Sequence, residues 1–234
     1  SHPNKSGQSC LQYLMNGLEV IPTNKGIFLP ISWRMAPAIN NVVSELFYQG
    51  KLKENMKNSG HKIIWRDASI DQDKSIYPDS GVTFVPVRHQ DCTLKSEEEA
   101  EKIHNLIQLL LSSKYKLGTN KERSITSNDI LLIAPFNVQV NYLKRKLQGK
   151  VRIGTVDNFQ GQEAIISIFS LTSSSGDDAP RGLDFLLEPN RLNVAISRAK
   201  VLSIIVGSPS LAESLCKTTE EAKKINRLTR LISN

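Results

Sequence analysis

Four short polar clusters hold the residue types that could handle a charged ligand. They are Ser32-Trp33-Arg34-Met35-Ala36-Pro37, Ala134-Pro135-Phe136-Asn137-Val138-Gln139, Gly154-Thr155-Val156-Asp157-Asn158-Phe159-Gln160-Gly161-Gln162-Glu163 and Asn190-Arg191-Leu192-Asn193-Val194-Ala195-Ile196-Ser197-Arg198-Ala199-Lys200. Arg34 stands between Trp33 and Met35, and Arg198 between Ile196 and Ala199. A guanidinium partly desolvated by such neighbours needs an anion to offset the loss of water. Each residue also has an ordinary reading. Arginines commonly sit in weak surface ion pairs, Phe136 can be core packing, and Asp157, Gln160 and Glu163 can be caps or turn formers. Taken together, the clusters favour a site for an anionic ligand.

Other chemistries are excluded by inspection. The phosphate loop GxxxxGK[ST] is absent, because Gly50-Lys51 and Gly149-Lys150 are followed by Leu52 and Val151 and lack the leading glycine. No two of the 13 glycines are two residues apart, which rules out GxGxxG, and there is no GxSxG. His2, His61, His89 and His104 show no metal-ligand spacing, so no metal site is expected. Cys10, Cys92 and Cys216 lie far apart and form no CxxC, which argues against a disulfide framework and suits a reducing, cytoplasmic setting.

The clusters flank elements that the hydrophobic pattern predicts. Ile130–Ala134, Ala164–Leu171 and Val201–Val206 are nearly continuous apolar runs, as in strands buried on both faces of a parallel sheet. Val82–Val87 is a fourth strand, pushed to a sheet edge by Pro86. Ser96 to Glu99 offer a capping box for a helix through Ile103, Leu106, Ile107 and Leu110. Asn137 can cap a helix carrying Val140, Leu143 and Leu147, and Pro189 can open another. Further helices are expected at Asn40–Tyr48 and Glu220–Ile232. The alternation predicts one α/β domain with a doubly wound, mainly parallel sheet and helices on both faces. In such sheets the loops beyond the carboxyl ends of the strands line the ligand crevice, which favours the loop at Ala134–Gln139. Lys53–Ser80 reads as a polar insertion with a short strand at Ile63–Trp65, and Lys114–Asn128 as a surface connection.

At 234 residues and 26.1 kDa, with 39% hydrophobic and 23% charged residues, the chain can bury a substantial core and needs no staples. It has neither a stretch of ~18 apolar residues nor a signal-peptide pattern, so no membrane partner is expected. Thirty Lys and Arg against 23 Asp and Glu leave a charge of +7, which favours an anionic partner such as nucleic acid.

In this order, the four clusters resemble the C-terminal RecA-like motor domain of superfamily 1 helicases, in the branch of the nonsense-mediated-decay and Dna2-type enzymes. Trp33-Arg34-Met35-Ala36-Pro37 resembles the aromatic-Arg-Met-His-Pro motif, departing at Ala36. Ala134 to Gln139 resembles the Thr/Ala-Pro-Tyr-x-x-Gln segment, with Phe136 for the commoner Tyr. Thr155–Glu163 resembles motif V, and Asn190–Lys200 motif VI. The segment Ser174 to Leu183, and the opening from His2-Pro3 through Leu11-Gln12-Tyr13-Leu14, resemble bacterial proteins that join a RecB-like nuclease region to such a helicase.

The resemblance implies a single domain over residues 1–234, the second motor domain of an ATP-dependent DNA helicase, inactive alone and without its own Walker A. ATP with Mg²⁺ would lie against a preceding RecA-like domain that holds most of the Mg²⁺ ligands. By the match, Arg34 and Arg198 are catalytic arginines facing the γ-phosphate, Gln160 and Gly161 lie close to the nucleotide, and Glu163 accepts from a ribose hydroxyl. Thr155 would contact a nucleic-acid phosphate, Pro135, Phe136 and Asn137 would line the path of a single strand, and Asp157 would couple the two ligands. A non-motor docking module on the same fold, and RNA in place of DNA, are the alternatives.

Overall fold

The computed structural model describes residues 14–15, 17–18, 20–66, 77–180, 182–214 and 218–232. In chain order the elements are β1 (Ile31–Ser32), α1 (Pro37–Phe47), β2 (Lys53–Glu54), β3 (Lys62–Ile64), β4 (Gly81–Pro86), α2 (Glu97–Ser112), β5 (Lys114–Lys116), β6 (Arg123–Ser124), β7 (Ile130–Ile133), α3 (Asn137–Leu147), β8 (Arg152–Gly154), β9 (Ala164–Ser170), α4 (Gly182–Leu186), α5 (Pro189–Ser197), β10 (Ala199–Gly207) and α6 (Thr219–Ile232). The opening from His2 to Tyr13, Arg181, Cys10 and Cys216 lie outside the described residues.

Five strands form the central sheet in the order β4-β10-β9-β7-β8, and every pair in it is parallel. β9 is buried at all seven positions. That is the physical meaning of its unbroken apolar run: with helices on both sheet faces, neither side of the strand meets water. Alternate residues enter different cores. Leu131 and Ile133 pack with α1, α4, α5 and α6, whereas Ile130 and Leu132 pack with α2 and α3. The fold is the α/β, RecA-like doubly wound architecture that the sequence predicts. β4 lies at the edge, where the missing N–H of Pro86 costs no ladder bond.

Local signals hold with two adjustments. Pro189 occupies the first turn of α5, and the Glu188 carboxylate accepts from the Arg191 N–H at 2.8 Å. Helix α3 starts at Asn137, but its cap is Phe136, and no side chain caps it. Ser96 caps α2 by accepting the Glu99 N–H at 3.1 Å. Glu99 does not reach back to complete the box. Its fully buried carboxylate instead accepts from the Thr172 N–H at 2.9 and 3.0 Å and from the Ser170 hydroxyl at 2.5 Å, and it pairs with His89 Nε2 at 3.0 Å. The Ser96 N–H goes to Gln139 Oε1 at 3.1 Å. This network bolts α2 and α3 to the carboxyl end of β9, where Thr172 holds φ at +74°, a costly value for a β-branched residue.

The polar stretches differ most from expectation. β3, β5 and β6, from the presumed insertion and the presumed surface connection, pair antiparallel into a second small sheet. Their separation by about fifty residues hides the pairing from any local pattern.

Two substitutions test this account. Replacing Ile168 by Ala in β9 should lower unfolding stability by about 2–5 kcal/mol, the usual cost of a truncated core aliphatic, while exposed Val138→Ala in α3 stays within about 0.5 kcal/mol. Glu99→Ala should cost about 3–5 kcal/mol, because it strands buried partners. Urea melts that placed Glu99→Ala beside Val138→Ala would discredit the network.

Candidate functional site

Because all five strands run the same way, the sheet has an amino end and a carboxyl end, separated by the roughly 20 Å length of β9. The residues singled out from the sequence divide between these ends.

Arg34, Glu163 and Arg198 meet at the amino end, beside the starts of β9 and β10. This differs from the expectation of a crevice at the carboxyl ends. Parallel pairing is the reason, since the segments leading into two adjacent strands must enter side by side. The Ala164 N–H donates to Arg198 O at 3.0 Å, and the Ala36 N–H to Lys200 O at 2.8 Å, which pins the turn after β1 onto the start of β10. Asn58 then brackets Arg34, its side-chain amide donating to Trp33 O at 3.2 Å and Met35 O at 3.1 Å. Ala36 itself is fully buried.

The charges there are unbalanced. Arg34 Nε donates to Glu163 Oε2 at 2.9 Å and Lys200 Nζ to Glu163 Oε1 at 2.5 Å, while Arg34 Nη1 donates to Ser197 O at 3.2 Å. Among the described residues, the hydrogen bonds of Arg198 go to backbone carbonyls, Val194 O at 3.3 Å and Gln162 O at 3.1 Å. Two cations therefore share one carboxylate, and Arg198 adds a third positive charge beside them. Burial lowers the pKa of Arg198, and the neighbouring Arg34 charge lowers it further. Glu163 is held below the usual carboxylate range, first by its hydrogen bond to Lys200 and then by that to Arg34. Beside them opens a cleft of ≈ 470 Å³ lined by Ser32, Trp33, Arg34, His61, Leu117, Glu163 and Lys200. The Trp33 indole is 72% exposed. Gln160 and Gly161 are exposed in the same connection, Gly161 at φ +78°. Guanidinium forks, an ammonium and an open aromatic face together suit a nucleoside phosphate. Lys200 and Asn58 were not singled out from the sequence. Lys200 stands in the fourth cluster, whereas nothing local marks Asn58.

The other residues lie at the carboxyl end. Thr155, just after β8, is half-buried, with its N–H and hydroxyl both on Asn158 Oδ1 at 2.8 and 3.0 Å. Pro135 and Phe136 follow β7 and are buried, while Asn137 is exposed. The Phe136 ring is stacked on Phe185, with centroids 5.7 Å apart. Of the residues expected to line a strand path, Pro135 and Phe136 are therefore covered, and Asn137 alone of the three is exposed. Arg191 stands over the Phe185 ring at 4.2 Å and lies 4.0 Å from Asp157. Asp157, Arg191, Phe185 and Phe136 thus form a continuous run of contacts. The segment from Thr155 to Glu163 runs from the carboxyl end of β8 to the amino end of β9, as a short connection with no α-helix in it.

The acid titration of Glu163 tests the amino-end cluster. A carboxyl whose folded pKa is depressed contributes stability above its unfolded pKa and loses it as pH falls through the folded value. By NMR, Glu163 should titrate below the ordinary glutamate range, and Lys200→Ala should raise its midpoint more than Arg34→Ala does. An ordinary midpoint in the unaltered chain would contradict the cluster.

The chain is similar in sequence to several known proteins. An uncharacterized ATP-dependent helicase of Methanocaldococcus jannaschii is 33% identical over 197 residues, which cover 78% of this chain and 26% of that protein. The DNA-binding protein SMUBP-2 of Rattus norvegicus is 29% identical over 183 residues, 74% of this chain and 17% of that one. The ATP-dependent helicase upf1 of Schizosaccharomyces pombe is 29% identical over 203 residues, 82% of this chain and 20% of that one. The chain thus spans about a quarter or less of the length of these relatives. The resemblance to superfamily 1 helicases is supported by this kinship with ATP-dependent helicases, and among the described residues no helix is long and apolar enough to cross a membrane. Residues 7–210 match the family described as AAA domain, and the chain belongs to that family.

Proposed function

We propose that this chain is the second motor domain of an ATP-dependent helicase, closing on a nucleotide held by a preceding RecA-like domain of the same polypeptide. The observation that carries the reading is the amino-end cluster, in which Arg34 and Lys200 pair with one carboxylate beside a cleft and Arg198 stands next to them on backbone carbonyls. ATP fits this donor set. ATP supplies the γ-phosphoryl group, and the preceding domain holds most of the Mg²⁺ ligands. Arg34 and Arg198 bind the phosphoryl oxygens, where planar forks match charge spread over several oxygens. Gln160 and Gly161 border the nucleotide, and Glu163 accepts from the ribose, releasing Arg34 as it does so. Trp33 offers its indole face to the base.

An apolar stripe supports a partner domain on this side. Ile27, Leu29, Ile31 and Trp33 alternate along one extended stretch, all exposed, and end at Arg34. At the carboxyl end, Thr155 contacts a phosphate of single-stranded nucleic acid. Asn137 lines the strand path, which Pro135 and Phe136 shape from beneath. Asp157, through Arg191, passes movement of the Thr155–Glu163 segment to Phe185 and Phe136. Since that segment borders both ligands, closure on nucleotide moves the strand grip. The relatives include proteins named as DNA-binding and as helicases, and we favour DNA. A fused RecB-like nuclease region belongs to the same proposal.

Two experiments test it. In the full-length protein, Arg198→Ala should lower ATP turnover by about 10³-fold or more, the usual worth of an arginine finger, with nucleotide binding largely intact, and Arg198→Lys should not restore it. Turnover near the unaltered level in either variant would remove the assignment. Labelled single-stranded DNA should bind with an affinity that changes when a non-hydrolysable ATP analogue is added. That response should vanish when Arg34 and Arg198 are both replaced by Ala; strand binding indifferent to nucleotide would favour a docking module instead.

A further inference from the structure

Two segments of the chain are strongly basic. Residues 51–66 and 114–124 contain nine Lys and Arg and two acidic residues, a net of seven positive charges. That is the whole excess of the chain, and the remaining residues balance. The neutral remainder includes Asp67, Asp71 and Asp73, which follow β3 outside the described residues. These two segments carry β2 and the small sheet of β3, β5 and β6, whose strands come from distant parts of the chain.

The sheet has one apolar face and one basic face. Ile63 and Tyr115 pair directly and are buried in the core against α2. On the opposite face, Lys62 pairs with Lys116 and Ile64 with Lys114, so three lysines lie on two adjacent strands. Directly opposed like charges destabilise a strand pair. Neutralisation from within the chain is sparse. Among the described residues, only Lys114 of this group has an acidic partner, Glu122 at 3.6 Å, leaving Lys57, Lys62, Lys116, Lys121 and Arg123 without one. The platform is held firmly enough to keep this arrangement. Gly60 and Gly118 bring the two loops into backbone contact, so that a Cβ on Gly60 would meet Gly118 O at 2.6 Å. The Gly118 N–H also donates to His61 Nδ1 at 3.1 Å.

We propose that this basic sheet face is a second binding surface, taking the phosphate backbone of duplex nucleic acid. It lies apart from the strand path at the carboxyl ends. Opposed lysines that repel one another in the free protein gain most from a polyanion laid between them. The aromatic residue of these three strands, Tyr115, lies on the buried face, so binding reads charge and not base sequence, and it depends steeply on salt. The inference stands independently of the motor assignment, because none of these lysines belongs to the arginine cluster.

The test uses the chain itself and a fluorescein-labelled 20-base-pair DNA duplex, with anisotropy followed between 50 and 200 mM salt (about the range over which phosphate contacts declare themselves). Lys62→Gln/Lys116→Gln should weaken binding about tenfold or more at the lowest salt and reduce the salt slope by about 1.8, at about 0.9 per phosphate contact. The loop pair Lys57→Gln/Lys121→Gln, which leaves the strand ladder intact, should act in the same direction. Lys144→Gln/Lys150→Gln, with the same change in net charge elsewhere, should leave both quantities near the unaltered chain. Equal losses in all three pairs, or no loss in the first two, would overturn the proposal. So would poly-glutamate binding as tightly as the duplex, which would mark the face as a dock for an acidic protein.

Discussion

The parallel pairing of β9 with β10 is the constraint on which the rest of the structure depends. Two adjacent strands that run the same way must be entered from the same end, so Glu163 and Arg198, the residues before them, become neighbours although 35 positions apart. Their backbones are tied at that point by the Ala164 to Arg198 bond, and the turn bearing Arg34 is tied to Lys200 one step along. The same polarity sends Ser170 and Thr172 to the far end, beside Pro135 and Phe136. A buried parallel sheet cannot be adjusted strand by strand, because each strand is packed on both faces. The spacing between the two ends is therefore fixed, and the Thr155–Glu163 segment bridges it directly.

Each end is stiffened in a different way. At the amino end, charges outnumber their partners. Glu163 serves two cations, and Arg198 leans on carbonyl oxygens, an arrangement that a bound anion would complete. At the carboxyl end, satisfaction is nearly total: the Glu99 carboxylate is enclosed by His89, Ser170 and Thr172, and Gln139 links Ser96 to Ser170. Fully satisfied buried polar networks rigidify, whereas a group of like charges with too few partners remains responsive. One end is thus suited to change with a ligand and the other to hold a shape. The basic sheet of β3, β5 and β6 adds a third, peripheral field, attached through His61 and Leu117 to the rim of the cleft.

Sequence and structure part company where contacts are long-range. Phe136 shows the difference well. Its place after an apolar strand marks it for the loop at the carboxyl end, and that is where it lies, yet whether its ring is open depends on Phe185, which arrives from α4. Glu99 shows it again. A capping box is the local reading of Ser96 to Glu99, and the Ser96 half is present, but Glu99 finds stronger partners across the sheet. Asn58 sits in a polar stretch with nothing to distinguish it, and only the docking of that stretch beneath Trp33 and Met35 makes it a support for Arg34.

The sequence by itself determined the strands buried on both faces, the edge position of β4 marked by Pro86, the helices opened by Ser96 and Pro189, and the two arginines set among apolar neighbours. These follow from local physics: periodicity, the missing N–H of proline and the geometry of a guanidinium. Only the tertiary structure decided that Arg34, Arg198 and Glu163 gather at the amino end, that Phe136 is covered, and that lysines some fifty residues apart oppose one another across two strands. Those outcomes depend on which strands pair and in which register, a choice made by the cooperative burial of the whole sheet and not by any segment alone.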